Sequence, residues 1–231
     1  MYNMISISRM GGLRVNISAD LLFFVTEIIG TVAFAISGAM IAIERKLDLF
    51  GVLFLGATTA IGGGIVRDIL LGQIPPKAFL NYIYMLTAVA TAAVVFLFSY
   101  FNSKREKPVR VLNDELLNFF DAAGLGIFSV IGVQNTINAG FGDNFFFCIF
   151  LGMLTGVGGG MIRDVLSQTT PAVLRKHIYA LASIAGSLCY YWLHRYNDGA
   201  AIVVTTVLVV IIRMMASRYR WTLPRVPVSD K

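Results

Sequence analysis

Two short segments concentrate the chemistry of this chain. Residues 62–68 read Gly-Gly-Gly-Ile-Val-Arg-Asp, and residues 158–164 read Gly-Gly-Gly-Met-Ile-Arg-Asp. Each sets an arginine and a carboxylate behind three glycines, inside an otherwise apolar stretch. Ionisable groups in such a setting are costly and default to functional hypotheses. Arg67, Asp68, Arg163 and Asp164 are therefore candidate pore-lining or gating charges, with a salt bridge or helix cap as the structural alternative. Sequence neighbours project about 100° apart on a helix, so each arginine could instead pair with a carboxylate on another helix. Glu27 and Asp121, at matching places near the starts of two apolar stretches, are candidate partners or cation-attracting rim groups, and plain interfacial exposure is the other reading.

The glycines carry the second expectation. A glycine inside a helix costs about 1 kcal/mol relative to alanine. Three in a row predict a break or sharp kink at Gly62, Gly63 and Gly64, and again at Gly158, Gly159 and Gly160. Freed carbonyls could coordinate a cation, and a half-helix N-terminus favours an anion. At membrane depth such groups are tolerated only against protein or a water-filled cavity. Close packing is the competing reading. Gly152, Gly156 and Gly160 repeat every four residues, as do Gly56, Ala60 and Gly64, the small-residue spacing that lets helices approach.

Other polar residues are weaker candidates. Ser37, Thr58, Thr59 and Thr155 could line a polar path or bond to their own helix backbones. His177 and His194 lack metal-ligand spacing and read as interfacial. Cys148 and Cys189 lie in apolar stretches and read as buried thiols. No nucleophile–base pair, nucleotide loop or metal cluster is legible, so neither an enzyme, a catalytic residue, a metal site nor a cofactor is expected.

The elements that must position these groups follow from composition. The 231 residues are 57% hydrophobic and 14% charged, with mean hydropathy +0.74. A soluble domain carries about 25% charged residues, so lipid must cover part of this surface. Crossing the hydrocarbon core takes about 20 apolar residues. Seven spans meet that need, at roughly 21–43, 49–72, 79–101, 115–138, 144–167, 173–194 and 199–217. They are separated by Glu44-Arg45-Lys46, Pro75-Pro76, the basic run 104–110, the Gly140–Asn144 turn, Pro171 and Asn197-Asp198-Gly199.

The net charge of +6 sits beside these spans, which points to topology control and contact with membrane lipid, anionic lipid included, rather than to nucleic acid. Alternating loops collect 13 Lys and Arg on one side and 4 on the other, with Arg213 counted in the tail. The positive-inside rule then predicts a cytoplasmic C-terminus and an outside N-terminus, in a multi-pass protein of the inner (plasma) membrane.

The two motifs belong to a longer repeat. At an offset of 96, Gly56 matches Gly152 and Pro75 matches Pro171. At 94, Glu27 matches Asp121, Phe34 matches Phe128 and Gly38 matches Gly132. Each copy holds three spans, an odd number, so the second copy must enter the membrane upside down, a common plan in transport proteins. The predicted fold is all-α: two inverted three-helix repeats plus a seventh helix. The expected organisation is an N-terminal extracytoplasmic segment 1–20, a first repeat 21–101, a basic cytoplasmic linker 102–114, a second repeat 115–194, a seventh helix 195–217 and a basic tail 218–231.

Paired Gly-Gly-Gly-x-x-Arg-Asp segments in a seven-span chain resemble prokaryotic trimeric intracellular cation (TRIC) channels, whose superfamily also includes proteins described as glycine transporters. The resemblance covers about residues 20–217 and implies a homotrimer with a pore in each protomer, lined by the kinked second and fifth helices. The implied function is a monovalent cation channel, chiefly for potassium, with potassium or sodium as the permeant species. An alternating-access transporter of a small solute such as glycine is the alternative, since inverted repeats suit both.

Overall fold

The computed structural model describes residues 17–103, 114–175 and 178–221. The segment 1–16, the basic run 104–110, His177 and the tail beyond Trp221 lie outside the described residues. Within them every regular element is a helix: α1 (Ile17–Glu44), α2 (Leu49–Leu70), α3 (Lys77–Leu80), α4 (Tyr82–Ser103), α5 (Asp114–Thr136), α6 (Phe145–Leu166), α7 (Ala172–Arg175), α8 (Ile178–Leu193) and α9 (Asp198–Arg218). Helices α1, α2, α4, α5, α6 and α9 are long and apolar enough to cross a membrane. The protein is an all-α, multi-pass membrane protein. The sixth expected span is a shorter apolar helix, α8, of 16 residues.

Local chemistry explains the boundaries, and it recurs in both copies. Asp48 caps α2 by accepting from the Gly51 amide at 2.8 Å, and Asn144, 96 residues on, caps α6 by accepting from Phe147 at 3.1 Å. Such caps satisfy amides that the first turn leaves unpaired. The far ends of both helices turn through a left-handed residue, Gly72 at φ 70 and Gln168 at φ 55. The expected third span is interrupted: Asn81 is extended, and its side chain accepts from the Ile83 amide at 3.1 Å. This starts α4 afresh behind the one-turn α3. A π-helical turn, Ile137–Phe141, extends α5.

The core is built from the two copies facing each other. Helix α1 packs on α2 and α4, α5 packs on α6 and α8, and α2 packs on α6 across the middle. Helix α9 lies against α5 and α8. At the centre the rings of Phe34 and Phe128, a matched pair, stack at 5.3 Å and 15°. Ile61, Ile127 and Ile131 surround them. Large side chains exposed on α2, α4 and α9, such as Phe50, Leu86 and Val203, face the surroundings, as lipid contact requires.

Candidate functional site

Both glycine triplets lie within unbroken α-helices, α2 and α6. The expected breaks at Gly62–Gly64 and Gly158–Gly160 are not formed. The physical reason is close approach. A Cβ at Gly63 would collide with the Thr155 carbonyl, and one at Gly159 with the Thr59 carbonyl. These contacts are reciprocal, since Thr59 and Thr155 are also 96 apart. A Cβ at Gly158 would stand 3.0 Å from the Gly63 Cα. The glycines let two backbones cross in contact, and the packing gained there offsets their helix cost. Gly152 and Gly156 serve a different seam, toward α5 and α8, where added Cβ atoms would meet Ser187 and Ser129.

Beyond the triplets stand two charge clusters. In the second copy, the Arg163 guanidinium donates to Asp164 Oδ1 from Nε at 2.9 Å. Its Nη1 donates to Ser37 Oγ on α1 at 2.5 Å and to Asp121 Oδ1 on α5 at 2.6 Å. Asp164 turns its other oxygen to the Ala172 amide at 2.7 Å, capping α7. The Tyr179 hydroxyl reaches Asp121 at 3.3 Å. Arg213 of α9 completes the cluster: its Nη2 lies 3.5 Å from Asp121 Oδ2, and its guanidinium sits 4.5 Å over the Tyr179 ring. All four ionised side chains are buried.

In the first copy, Arg67 folds onto Asp68 in the same way, at 2.9 and 2.8 Å, and Asp68 accepts from the Lys77 amide at 2.9 Å, capping α3. The sequence neighbours thus pair with each other despite their angular separation, because a long guanidinium folds back along the helix. Glu27 differs from Asp121. It accepts from the Tyr84 hydroxyl at 2.5 Å, while Asp68 holds the Arg67 guanidinium.

Each cluster borders a cavity. One, of about 460 Å³, is lined among the described residues by acidic Glu44, Asp114, Asp121 and Asp164 and by basic Arg45 and Arg163. The other side has a small cavity of about 40 Å³ over Gly64, Arg67 and Asp68, next to one of about 180 Å³ lined by Glu27, Lys77, Gln134, Asn135 and Asn138. Glu27 and Glu44 are both on α1, so these mouths are separated along that helix by about 25 Å at 1.5 Å per residue. Phe128 and Ile61 floor the smaller cavity, which places the stacked phenylalanines between the mouths.

The remaining candidates fall outside these charge clusters. Thr58, Thr59 and Thr155 bond to the carbonyls of Phe54, Leu55 and Leu151 in their own helices. His194 stacks on Tyr190. Among the described residues no metal-binding cluster of His, Cys, Asp and Glu occurs. Sequence reasoning missed Arg213, assigned above to the tail although α9 carries it into the core, and Lys77, whose Nζ donates to Asn135 Oδ1 at 2.5 Å. Neither has a charged counterpart in the other copy that would have drawn attention to it.

Comparison with known proteins agrees with this architecture. A family model described as "Glycine transporter" matches residues 24–100 and 118–195. A UPF0126 membrane protein of Deinococcus radiodurans is 38% identical over 204 residues, covering 87% of this chain and 89% of that protein. The UPF0126 inner membrane protein YadS of Escherichia coli K12 is 35% identical, covering 91% of this chain and 99% of that one. A solved structure described as "Structural basis for conductance through TRIC cation channels" aligns with TM-score 0.75 at 35% identity, over 90% of this chain and 99% of that chain. The TRIC trimeric intracellular cation channel orthologue from Rhodobacter sphaeroides aligns with TM-score 0.75 at 26% identity, over 86% and 98%.

Proposed function

The chain belongs to the family described as glycine transporters, within the superfamily of the prokaryotic TRIC channels, and on that footing we propose that each protomer carries its own path for monovalent cations, chiefly potassium. The path runs from the Glu27 mouth to the Asp121 mouth, between α1, α2, α5 and α6. Arg67–Asp68 and Arg163–Asp164 flank it near its two ends, and the Phe34–Phe128 stack closes it in this conformation. The observation that carries the reading is the pair of polar cavities at opposite ends of α1, the larger lined, among the described residues, by four carboxylates and two basic side chains, with Arg213 behind Asp121 as a third cation. An excess of negative charge in a low-dielectric cleft concentrates cations. The homotrimer, the inner-membrane location and the cytoplasmic C-terminus complete the proposal. In that orientation the Asp121 mouth opens to the cytoplasm and the basic edges meet anionic lipid.

Purified protein in planar bilayers should give single-channel steps that reverse near the potassium potential under a gradient. The family description favours a second reading, alternating access for a small solute such as glycine. Saturable glycine uptake into proteoliposomes, without ohmic current, would select it over the channel.

A further inference from the structure

Two hydrogen bonds divide the Glu27 mouth. Lys77 donates from α3 to Asn135 on α5, and Tyr84 donates from α4 to Glu27 on α1. Lys77, Glu27 and Tyr84 each line both the small cavity over Gly64 and the larger one beside it, so the partition between the two is made of these side chains. A lysine ammonium is a compact point charge with donors only. Here it donates to an amide carbonyl, in cavities that the Glu27 carboxylate and the Tyr84 hydroxyl also line, and carboxylate and carbonyl oxygens suit a hard cation. Lys77 is exposed and rides on a single helical turn, so its four-carbon stem can swing out without unfolding a span. The other copy has no equivalent: Val173 stands at the matching position, and there the Tyr179 hydroxyl covers the third glycine, Gly160.

We propose that Lys77 is a tethered cation that closes this mouth, its ammonium standing where a permeating monovalent cation would stand and being displaced when the mouth conducts. The inference rests on the proposed cation path but has a readout of its own.

Gly64→Cys supplies a reporter inside the partition, because a Cβ there meets only the Arg67 guanidinium, at 3.6 Å. In a chain with Cys148→Ser and Cys189→Ser, its modification by a cationic methanethiosulfonate is timed in detergent. Lys77→Met should raise the rate roughly tenfold, because it removes the Coulomb repulsion that a second cation meets at close range. Lys77→Arg should leave the rate low, and a neutral reagent should gain much less. Asn135→Ala, which releases the ammonium but keeps it, should give a smaller acceleration and serves if Lys77→Met folds poorly. In bilayers Lys77→Met should raise cation conductance at low salt, with the gain fading near 1 M salt, where the Debye length is about 3 Å. Equal modification rates with and without the Lys77→Met substitution, in folded protein, would overturn the proposal. Faster modification by the cationic reagent, with no current from either form, would support Lys77 as the partition and overturn the channel reading instead.

Discussion

The two mouths are built on one frame and finished differently. At each, an arginine folds onto the aspartate that follows it, that aspartate caps a one-turn helix, and a matched carboxylate and tyrosine stand nearby. At the Asp121 mouth the carboxylate is shared by two arginines, and Tyr179 is held over Gly160 under the Arg213 guanidinium. At the Glu27 mouth the carboxylate turns to Tyr84, and the space over Gly64 is open. Part of the difference comes from outside the repeat. Among the described residues helix α9 has no counterpart on the first copy, and Arg213 is what it brings. Symmetric backbone with asymmetric side chains means that crossing geometry is fixed by the duplication, whereas the shape of each cavity is set by single residues.

Substitutions can break that comparison. The largest effect belongs to Asp121→Ala. Removing one partner from a buried ion cluster costs about 3–5 kcal/mol, and here it takes the carboxylate from Arg213 and leaves Arg163 with Asp164. Glu27→Ala removes one hydrogen bond from a half-buried site and should cost about 1 kcal/mol. Thermal unfolding in detergent measures both; equal losses would erase the distinction drawn between the mouths. Next come Gly63→Ala and Gly159→Ala. Each drives a methyl into a backbone carbonyl that cannot yield, an overpacking cost of about 1–3 kcal/mol, and the two should match because the crossing is symmetric.

The third glycines should part company. At Gly64 a methyl finds room, so Gly64→Ala should stabilise by up to about 1 kcal/mol through helix propensity. At Gly160 the methyl would stand 2.6 Å from the Tyr179 hydroxyl, so that gain should be lost. Identical melting shifts for the pair would show that Tyr179 yields freely. The smallest effect is at the helix ends. Gln168→Gly should gain a few tenths of a kcal/mol by relieving a left-handed residue, whereas Gly72→Ala should lose about 1 kcal/mol.

Much of this frame was legible from residues alone. Long apolar runs give the spans, because lipid demands them, and an odd number of spans per copy demands inversion. The matched pairs Phe34–Phe128 and Glu27–Asp121 were legible as repeats, but their contacts were not, since an offset in sequence carries no distance in space. The triplets misled for a related reason. Glycine's helix cost is a local quantity, and the compensation at Gly63 and Gly159 comes from a backbone nearly a hundred residues away. The interruption at Asn81 was hidden because a single capping asparagine hardly changes the hydropathy of an apolar run. Arg213 lies so near the basic C-terminal residues that charge counting absorbed it.

The reciprocal contacts Gly63–Thr155 and Gly159–Thr59 have one more consequence. They form an isologous interface, in which the same patch serves both partners, as in a two-fold dimer. In a dimer of identical subunits every substitution strikes twice, and its energetic effect doubles. Covalent fusion ends that constraint: a change on one half strikes once. Position 77 can then hold a lysine while its image at 173 holds a valine, and position 37 a serine on Arg163 while its image at 131 holds an isoleucine. Joining the halves is what frees the two ends of one molecule to specialise.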